Sequence, residues 1–322
     1  MAQTGNARIT ALDQARGYAI AGMIAVNTLG HFDRMPWMVK HHHEGMSYAD
    51  TIAPLFIFLV GMGFRLSFRR RAAEKGLCGA RRDALRRYGI LMGLGLCYGG
   101  FSLLVGVWDA LMDIGAAGVL SLAFINAGPL VRVAAALGGL ALYQALYSFT
   151  GYGAWVLGHS INGGPLGPLA WMFILLLGTL VADWLRDPVR LARNCLLWGV
   201  ALCAAGWALR AEWPGVKAFW AFSQYGMGAP YPVYSAGLCF LTVLAFHLVC
   251  DRAGLSFPPL TVMGSNPLVL YLLQALLAEV VVELLIPSDV SVAAALASLA
   301  GVLGACYALA HALHRRGKII KI

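Results

Sequence analysis

The chain has 322 residues, of which 60% are hydrophobic and only 12% are charged. Soluble domains carry about 25% charged residues, so this composition excludes a water-soluble globular fold and indicates an integral membrane protein. The net charge of +9 does not indicate a nucleic-acid partner, because the basic residues cluster between apolar runs instead of forming one continuous patch.

The apolar runs predict about ten transmembrane helices joined by short loops. A bilayer-spanning helix needs about 20 mostly apolar residues. We therefore predict an all-α, polytopic fold that forms a single transmembrane domain over residues 1–322. The polar start of the chain lacks the pattern of a cleavable signal peptide. The predicted spans are residues 15–30, 48–68, 88–106, 112–127, 129–149, 165–185, 194–210, 232–250, 262–286 and 290–313.

The lysine and arginine residues predict the orientation of these spans. If the first span begins inside, only Arg34, Lys40, Arg210 and Lys217 of the 24 basic residues fall outside. Nine lie between Arg65 and Arg87. Because cytoplasmic loops carry an excess of Lys and Arg, we expect both termini in the cytoplasm. We expect the membrane to be the bacterial inner (plasma) membrane.

The first span carries polar residues along its length. Asp13 and Arg16 lie one turn apart near its inner end, and Asn27 lies near its outer end. Ionisable groups at membrane depth are costly and usually face a cavity or a partner. Two interpretations remain open: an ion pair at the helix start with a snorkelling arginine, or a helix that lines a route across the membrane.

The first outer loop, Gly30 to Ser47, contains the consecutive residues His41, His42 and His43. Adjacent side chains point in different directions and no HExxH pattern is present, so no metal site is expected. A general base is the favoured function, because imidazole titrates near neutral pH; a solvated polar loop is the alternative. Asp50 either suits the following helix start or orients one of these imidazoles.

Later spans hold further polar residues. Ser265-Asn266-Pro267 interrupts the ninth span, where proline frees backbone groups that need other partners. His247 has no evident partner in the sequence and is interpreted as structural. Asp109 and Asp113 flank the start of the fourth span. They either stabilise the start of that helix or take part in the chemistry. The cysteines lie in spans or on the inner side, so we expect no disulfides.

Several of these residues form a recognisable set. They are Arg8 to Gly17 (RITALDQARG), Met23 to Asn27 (MIAVN), Val39-Lys40-His41, Gly45, Ala49-Asp50, Pro54 to Gly61 (PLFIFLVG), Trp108-Asp109, Asp113-Ile114-Gly115, Gly264 to Leu268 (GSNPL) and Tyr271. The set resembles the heparan-alpha-glucosaminide N-acetyltransferase-like transmembrane acyltransferases, densely over the first 70 residues. The related acyltransferase-3 enzymes have a histidine where this chain has Asn27.

The resemblance implies acyl transfer from cytoplasmic acyl-CoA, usually acetyl-CoA, to an amino sugar or other glycan on the far side of the membrane. His41 or His42 would be the general base, or would form an acyl-histidine. Asn27 would donate to the thioester oxygen, and Asp50 would orient the imidazole. The chain departs from the family pattern at His43, where a tryptophan is usual, and this leaves the choice between His41 and His42 open.

Basic residues on the inner side are candidates for contact with the CoA phosphates, since arginine binds phosphate strongly. The alternative is that these residues only mark the cytoplasmic side of the membrane. The candidates for cofactor binding are Arg16, Arg65, Arg69, Arg70, Arg86, Arg87 and Asn266. A homodimer is left open. The alternative functions are a transporter or flippase for a glycan or small solute, which the proline-broken span would suit, and a non-catalytic subunit.

Overall fold

A computed structural model describes residues 10–99, 107–210 and 220–320 of the chain. Every regular element in these ranges is helical, as the sequence predicted. The helices are α1 (Thr10–Gly30), α2 (Ala49–Gly99), α3 (Ala110–Ser121), α4 (Pro129–Phe149), α5 (Tyr152–His159), α6 (Gly167–Trp184), α7 (Pro188–Leu209), α8 (Pro230–Phe246), α9 (Pro258–Gly264), α10 (Pro267–Ala275), α11 (Glu283–Leu285) and α12 (Val292–Arg315). Short π-helical turns follow α8 (His247–Arg252) and α10 (Leu276–Val282).

Seven helical segments of the described ranges are long and apolar enough to cross a membrane. They are Ala49–Gly99, Pro129–Phe149, Gly164–Trp184, Pro188–Leu209, Pro230–Arg252, Pro267–Leu285 and Val292–Arg315. An integral membrane protein is thereby confirmed, whereas the count of ten spans and the orientation stay predictions. Helix α1 has 21 residues, but Asp13, Arg16 and Asn27 lower its hydropathy. Helix α3 has 12 residues, fewer than a bilayer requires.

The basic segment between the second and third predicted spans is helical. The sequence predicts a connection between spans here, but α2 continues through it and carries an Arg70–Glu74 pair at helical spacing, 3.8 Å apart. The backbone breaks at Gly76, where φ is +76° and ψ is 171°. Only glycine adopts that conformation without strain. The predicted third span extends past Gly99 into residues outside the described ranges.

The described residues divide into two compact units. Unit 1 contains residues 10–41, 47–52 and 242–320. In it α1 crosses α9 at backbone contact distance: a methyl group at Gly17 would lie 1.9 Å from the Leu260 carbonyl oxygen, and one at Gly264 would lie 2.1 Å from that of Asp13. The predicted interruption of the ninth span is present, since α9 ends at Gly264 and α10 begins at Pro267.

Unit 2 contains residues 42–46, 53–99, 107–210 and 220–241 of the described chain. Its central element is α6, in which every residue except Leu169 and Asp183 is buried. The backbones of α2 and α6 touch at two glycines. A methyl group at Gly61 would lie 2.0 Å from a carbonyl oxygen of α6, and one at Gly178 would lie 2.1 Å from a carbonyl oxygen of α2. Small residues permit such close packing of membrane helices.

Candidate active site

The start of α2 in unit 1 is fixed by a reciprocal cap. The backbone N–H of Ser47 donates to Oδ2 of Asp50 at 2.8 Å, and the backbone N–H of Asp50 lies 3.4 Å from Oγ of Ser47. This is the pattern of a capping box, with an acid three residues after the serine. The Ser47 hydroxyl also lies 2.8 Å from the carbonyl oxygen of Lys40. The local sequence therefore holds the Asp50 carboxylate in one orientation.

The remaining Asp50 oxygen contacts a loop histidine. Nδ1 of His41 lies 2.8 Å from Oδ1 of Asp50, whose side chain is 0% exposed, whereas that of His41 is 34% exposed. A carboxylate at Nδ1 selects the tautomer that carries a proton there and leaves Nε2 as the basic nitrogen. Nε2 lies on the opposite edge of the ring. The arrangement can orient a general base.

The other two histidines of the loop belong to unit 2. The ring of His43 stacks on Tyr225 with a centroid distance of 4.2 Å. His42 is half-buried. The backbone of the loop is held by Gly45, whose N–H donates to the carbonyl oxygen of Phe222 at 2.9 Å. Nδ1 of His41 thus contacts Asp50, and the choice between His41 and His42 as the base stays a prediction.

Asn27, in the last turn of α1, lies in a polar cluster of unit 1. Its Nδ2 donates to Oε1 of Gln274 at 3.3 Å and lies 3.5 Å from Oε1 of Glu279. Gln274 is 0% exposed, and its Nε2 has no hydrogen-bond partner among the described residues. The donors of Asn27 are therefore engaged within the protein, whereas the amide of Gln274 retains an unused donor.

Two of the predicted cofactor-binding arginines contact one carboxylate in unit 2. Nε of Arg65 lies 3.2 Å from Oδ1 of Asp183 at the end of α6, and an amino group of Arg69 lies 2.8 Å from the same oxygen. Arg132, in the first turn of α4, contacts Oδ2. We refer to these four residues as the Asp183 cluster.

The sequence of the chain matches the family model described as heparan-alpha-glucosaminide N-acetyltransferase, catalytic, over residues 8–210. This match spans more than half of the chain. The chain belongs to the heparan-alpha-glucosaminide N-acetyltransferase catalytic family. Family membership supports a transmembrane acyltransferase. A comparison with curated proteins finds no match.

The region matched to the N-acetyltransferase family contains the His41–Asp50 pair, Asn27 and the Asp183 cluster. It ends before Asn266 and Gln274. Among the described residues, no group of three or more His, Cys, Asp or Glu side chains is arranged to hold a metal ion.

The other predicted cofactor-binding arginines of this N-acetyltransferase family member are not members of the Asp183 cluster. Arg16 pairs with Asp13 at 3.6 Å, the helix-start ion pair that the sequence allowed. Arg70 is exposed and pairs with Glu74. Arg86 is exposed, and Arg87 is half-buried with its guanidinium 5.8 Å from the centre of the Tyr88 ring. Their contact with a cofactor stays a prediction.

Asn266 holds the C-terminal part of the chain within unit 1. Its Nδ2 donates to the carbonyl oxygen of Lys318 at 3.1 Å, and its Oδ1 accepts from the N–H of Ile320 at 2.8 Å. The side chain is 1% exposed. Both hydrogen-bonding atoms of the amide therefore serve the protein backbone, and cofactor binding by Asn266 stays a prediction.

Sequence reasoning missed several partners. Asp251, one helical turn after His247, lies 2.9 Å from Nδ1 of that histidine, and this spacing was visible in the sequence. Arg132 and Gln274 carried no local signal, because their partners lie 51 and 247 residues away. Position in the predicted spans would have marked both as polar residues at membrane depth.

A further polar group lies in unit 2, where Asn162 has a left-handed backbone with φ of +54°. Its Nδ2 donates to the carbonyl oxygen of Trp108, and its own carbonyl accepts from the Trp171 indole. The Tyr152 hydroxyl donates to Gly163 at 2.7 Å. Burial raises the pKa of the Tyr152 phenol, so this donor stays protonated at neutral pH.

Proposed function

We propose that the chain is a transmembrane acetyltransferase that moves an acetyl group from cytoplasmic acetyl-CoA to an amino sugar or other glycan on the outer side. The observation that supports it best is the contact between His41 and the buried carboxylate of Asp50, within a sequence of the N-acetyltransferase family. The proposal includes ten spans, both termini in the cytoplasm and a location in the bacterial inner membrane. A homodimer is compatible with it.

The chemical step is proton transfer coupled to acyl transfer. Nε2 of His41 accepts the proton from the acceptor amine or hydroxyl as the acceptor attacks the thioester carbonyl carbon. The carbon–sulfur bond then breaks, and the imidazolium returns the proton to the CoA thiolate. Asp50 is a positioning residue, since its carboxylate stabilises the imidazolium through Nδ1.

Charge develops on the thioester oxygen as the acceptor attacks, and a hydrogen-bond donor there lowers the barrier. Asn27 was the predicted donor. Because its amide already donates to Gln274, the unused Nε2 of Gln274 is the better-supported donor in the observed arrangement. Asn27 then orients Gln274.

The alternative to the reaction is movement of a glycan or small solute without bond chemistry. The break between α9 and α10 suits such a role, but the match to the N-acetyltransferase catalytic family supports acyl transfer. Acyl transfer is therefore the better-supported proposal.

The test uses the purified full chain in lipid nanodiscs with acetyl-CoA labelled in the acetyl group. Release of CoA thiol and label in a panel of amino sugars and glycans are measured together. We expect transfer by the wild type and by His42→Ala, and a loss of at least about 100-fold in His41→Ala, a typical contribution of a general base.

Two outcomes would overturn the proposal. A wild-type rate in His41→Ala removes the assigned base. Absence of both CoA release and thermal stabilisation by acetyl-CoA removes the donor and favours a transporter or a non-catalytic subunit. A label on the protein that neutral hydroxylamine releases, and that is absent from His41→Ala, would instead identify an acyl-histidine and retain the overall reaction.

A further inference from the structure

The Asp183 cluster has an unusual ratio of charges. Three guanidinium groups, of Arg65, Arg69 and Arg132, contact a single carboxylate. In the part of the chain that the structure describes, Asp183 is the ion-pair partner of both Arg65 and Arg132. The cluster therefore carries two more positive charges than negative ones.

Burial makes that excess costly. Arg132 is 0% exposed and Arg65 is 4% exposed. An arginine that only marks topology extends its charged end to water, which these two do not. Buried charges are stable when they are paired and hydrogen-bonded. The excess charge therefore indicates that a further anion belongs at this position.

The hydrogen bonds of the cluster leave one buried donor unused. Arg65 donates to the carbonyl oxygen of Ile125, and Arg132 donates to the Thr179 hydroxyl at 2.6 Å. These bonds fix both guanidinium planes. Nε of Arg132, in contrast, has no hydrogen-bond partner among the described residues. A completely buried side chain thus presents a free N–H within a site of positive charge.

The cluster also has an open side. The side chain of Arg69 is 52% exposed, and that of Asp183 is 14% exposed. Within unit 2 the cluster is formed by α2, the last turn of α6 and the first turn of α4. Arg69 belongs to the basic stretch of α2 that runs from Arg65 to Arg87. An anionic group can therefore approach past Arg69 and reach the buried arginines.

We propose that the Asp183 cluster binds a phosphate group, with Arg65, Arg69 and Arg132 as its donors and Asp183 as the residue that positions them. Arginine matches phosphate because its planar fork donates two parallel hydrogen bonds. The phosphate belongs either to CoA or to the headgroup of an anionic phospholipid. Assignment to CoA rests on the proposed acetyltransferase function, whereas phosphate binding itself does not.

The experiment measures the affinity of the full chain for CoA, dephospho-CoA, adenosine 3′,5′-bisphosphate and S-acetylpantetheine in phosphatidylcholine nanodiscs. We expect Arg132→Gln to weaken CoA binding about 10- to 100-fold, the range for lost hydrogen bonds to charged groups. Binding of S-acetylpantetheine, which lacks the nucleotide phosphates, should not change. Arg70→Gln is the matched control, since Arg70 is exposed and paired with Glu74.

A second arm identifies a lipid source. Thermal unfolding is compared in nanodiscs with phosphatidylglycerol and with phosphatidylcholine. If phosphatidylglycerol stabilises the wild type but not Arg132→Gln, and CoA affinity is equal in both proteins, the phosphate is that of a lipid. If neither CoA affinity nor lipid stabilisation changes in Arg132→Gln, the proposal is overturned.

Two further variants keep the test decisive if Arg132→Gln does not fold. Arg69→Gln alters the exposed donor and should show the same losses at smaller magnitude, so its equality with the wild type would also overturn the proposal. Asp183→Asn removes the carboxylate and increases the excess charge. We expect CoA or phosphatidylglycerol to stabilise Asp183→Asn more than the wild type, whereas a purely structural ion cluster would give no such rescue.

Failure of this inference is distinguishable from failure of the proposed function. If Arg132→Gln still transfers acetyl groups, with unchanged KM for acetyl-CoA and unchanged lipid stabilisation, the proposed function stands and the phosphate site is rejected. If the wild type transfers no acetyl group but Arg132→Gln loses phosphate-dependent binding, the phosphate site stands and the proposed function is rejected.

Discussion

Asp50 joins the start of a membrane helix to an exposed imidazole: its carboxylate is completely buried, and Oδ1 lies 2.8 Å from Nδ1 of His41. The other oxygen accepts from the backbone of Ser47. The same side chain therefore caps α2 and sets the orientation of the histidine ring. Changes at Asp50 and Ser47 should separate these two effects.

Asp50→Asn should lower kcat for acetyl transfer by about 100-fold, within the range for general-base catalysis. The amide oxygen still accepts from Ser47, so the helix start is retained, but the neutral side chain no longer stabilises an imidazolium. The KM for acetyl-CoA should change little. Asp33→Asn, in the loop that contains His41 and exposed, is the control. Wild-type kcat in Asp50→Asn would show that Asp50 has no role in orienting His41.

Ser47→Ala should destabilise the protein by about 1 kcal/mol, the usual cost of losing a helix cap. The hydroxyl contacts Asp50 at 3.0 Å and the Lys40 carbonyl at 2.8 Å, so its removal also loosens the loop next to His41. We expect a lower unfolding temperature and a decrease in kcat that is smaller than for Asp50→Asn. An unchanged unfolding temperature would contradict the capping assignment.

Gln274→Met should lower kcat by about 100-fold, the lower end of the range for loss of an oxyanion donor. Asn27→Leu should have a similar effect, because Asn27 donates to Gln274 and fixes its amide. The double variant should be no slower than the slower single variant, since both changes remove the same hydrogen-bonded pair. Fully multiplicative losses would show that the two side chains act independently.

Gly61→Ala should destabilise the protein by about 1 to 3 kcal/mol, the usual cost of overpacking. The added methyl group would lie 2.0 Å from the backbone oxygen of Leu175, so α2 and α6 would have to separate. Gly138→Ala is the matched control: it lies within α4 with no atom within 4 Å of the new methyl group. It should be neutral or stabilising by up to about 1 kcal/mol. Thermal unfolding in nanodiscs compares the two.

The features that the sequence predicted are those that depend on residues close together in the chain. Helical class and membrane insertion follow from apolar runs. The break at Asn266 follows from a proline, and the contact of Asp50 with a loop imidazole joins residues nine positions apart. The contact between Nδ1 of His41 and Asp50 required coordinates, because side chains of consecutive residues point in different directions.

Contacts between distant segments could not be read from the sequence. Arg132 and Asp183 meet only because α4 packs on α6, and Gln274 meets Asn27 only through the packing of α10 against α1. The helical form of the basic segment was missed for a different reason. Its charge suggested a connection between spans, whereas its Arg, Ala, Glu and Leu residues favour helix.

The Asn266 amide binds a carbonyl and an N–H two residues apart, at Lys318 and Ile320, and so anchors the end of the chain beside the start of α10. This anchor has a practical consequence for protein engineering. A purification tag or fluorescent protein fused directly after Ile322 would follow the hydrogen-bonded Ile320 by only two residues and could compete sterically with this attachment. A flexible spacer, or a fusion at the amino terminus, leaves that attachment undisturbed.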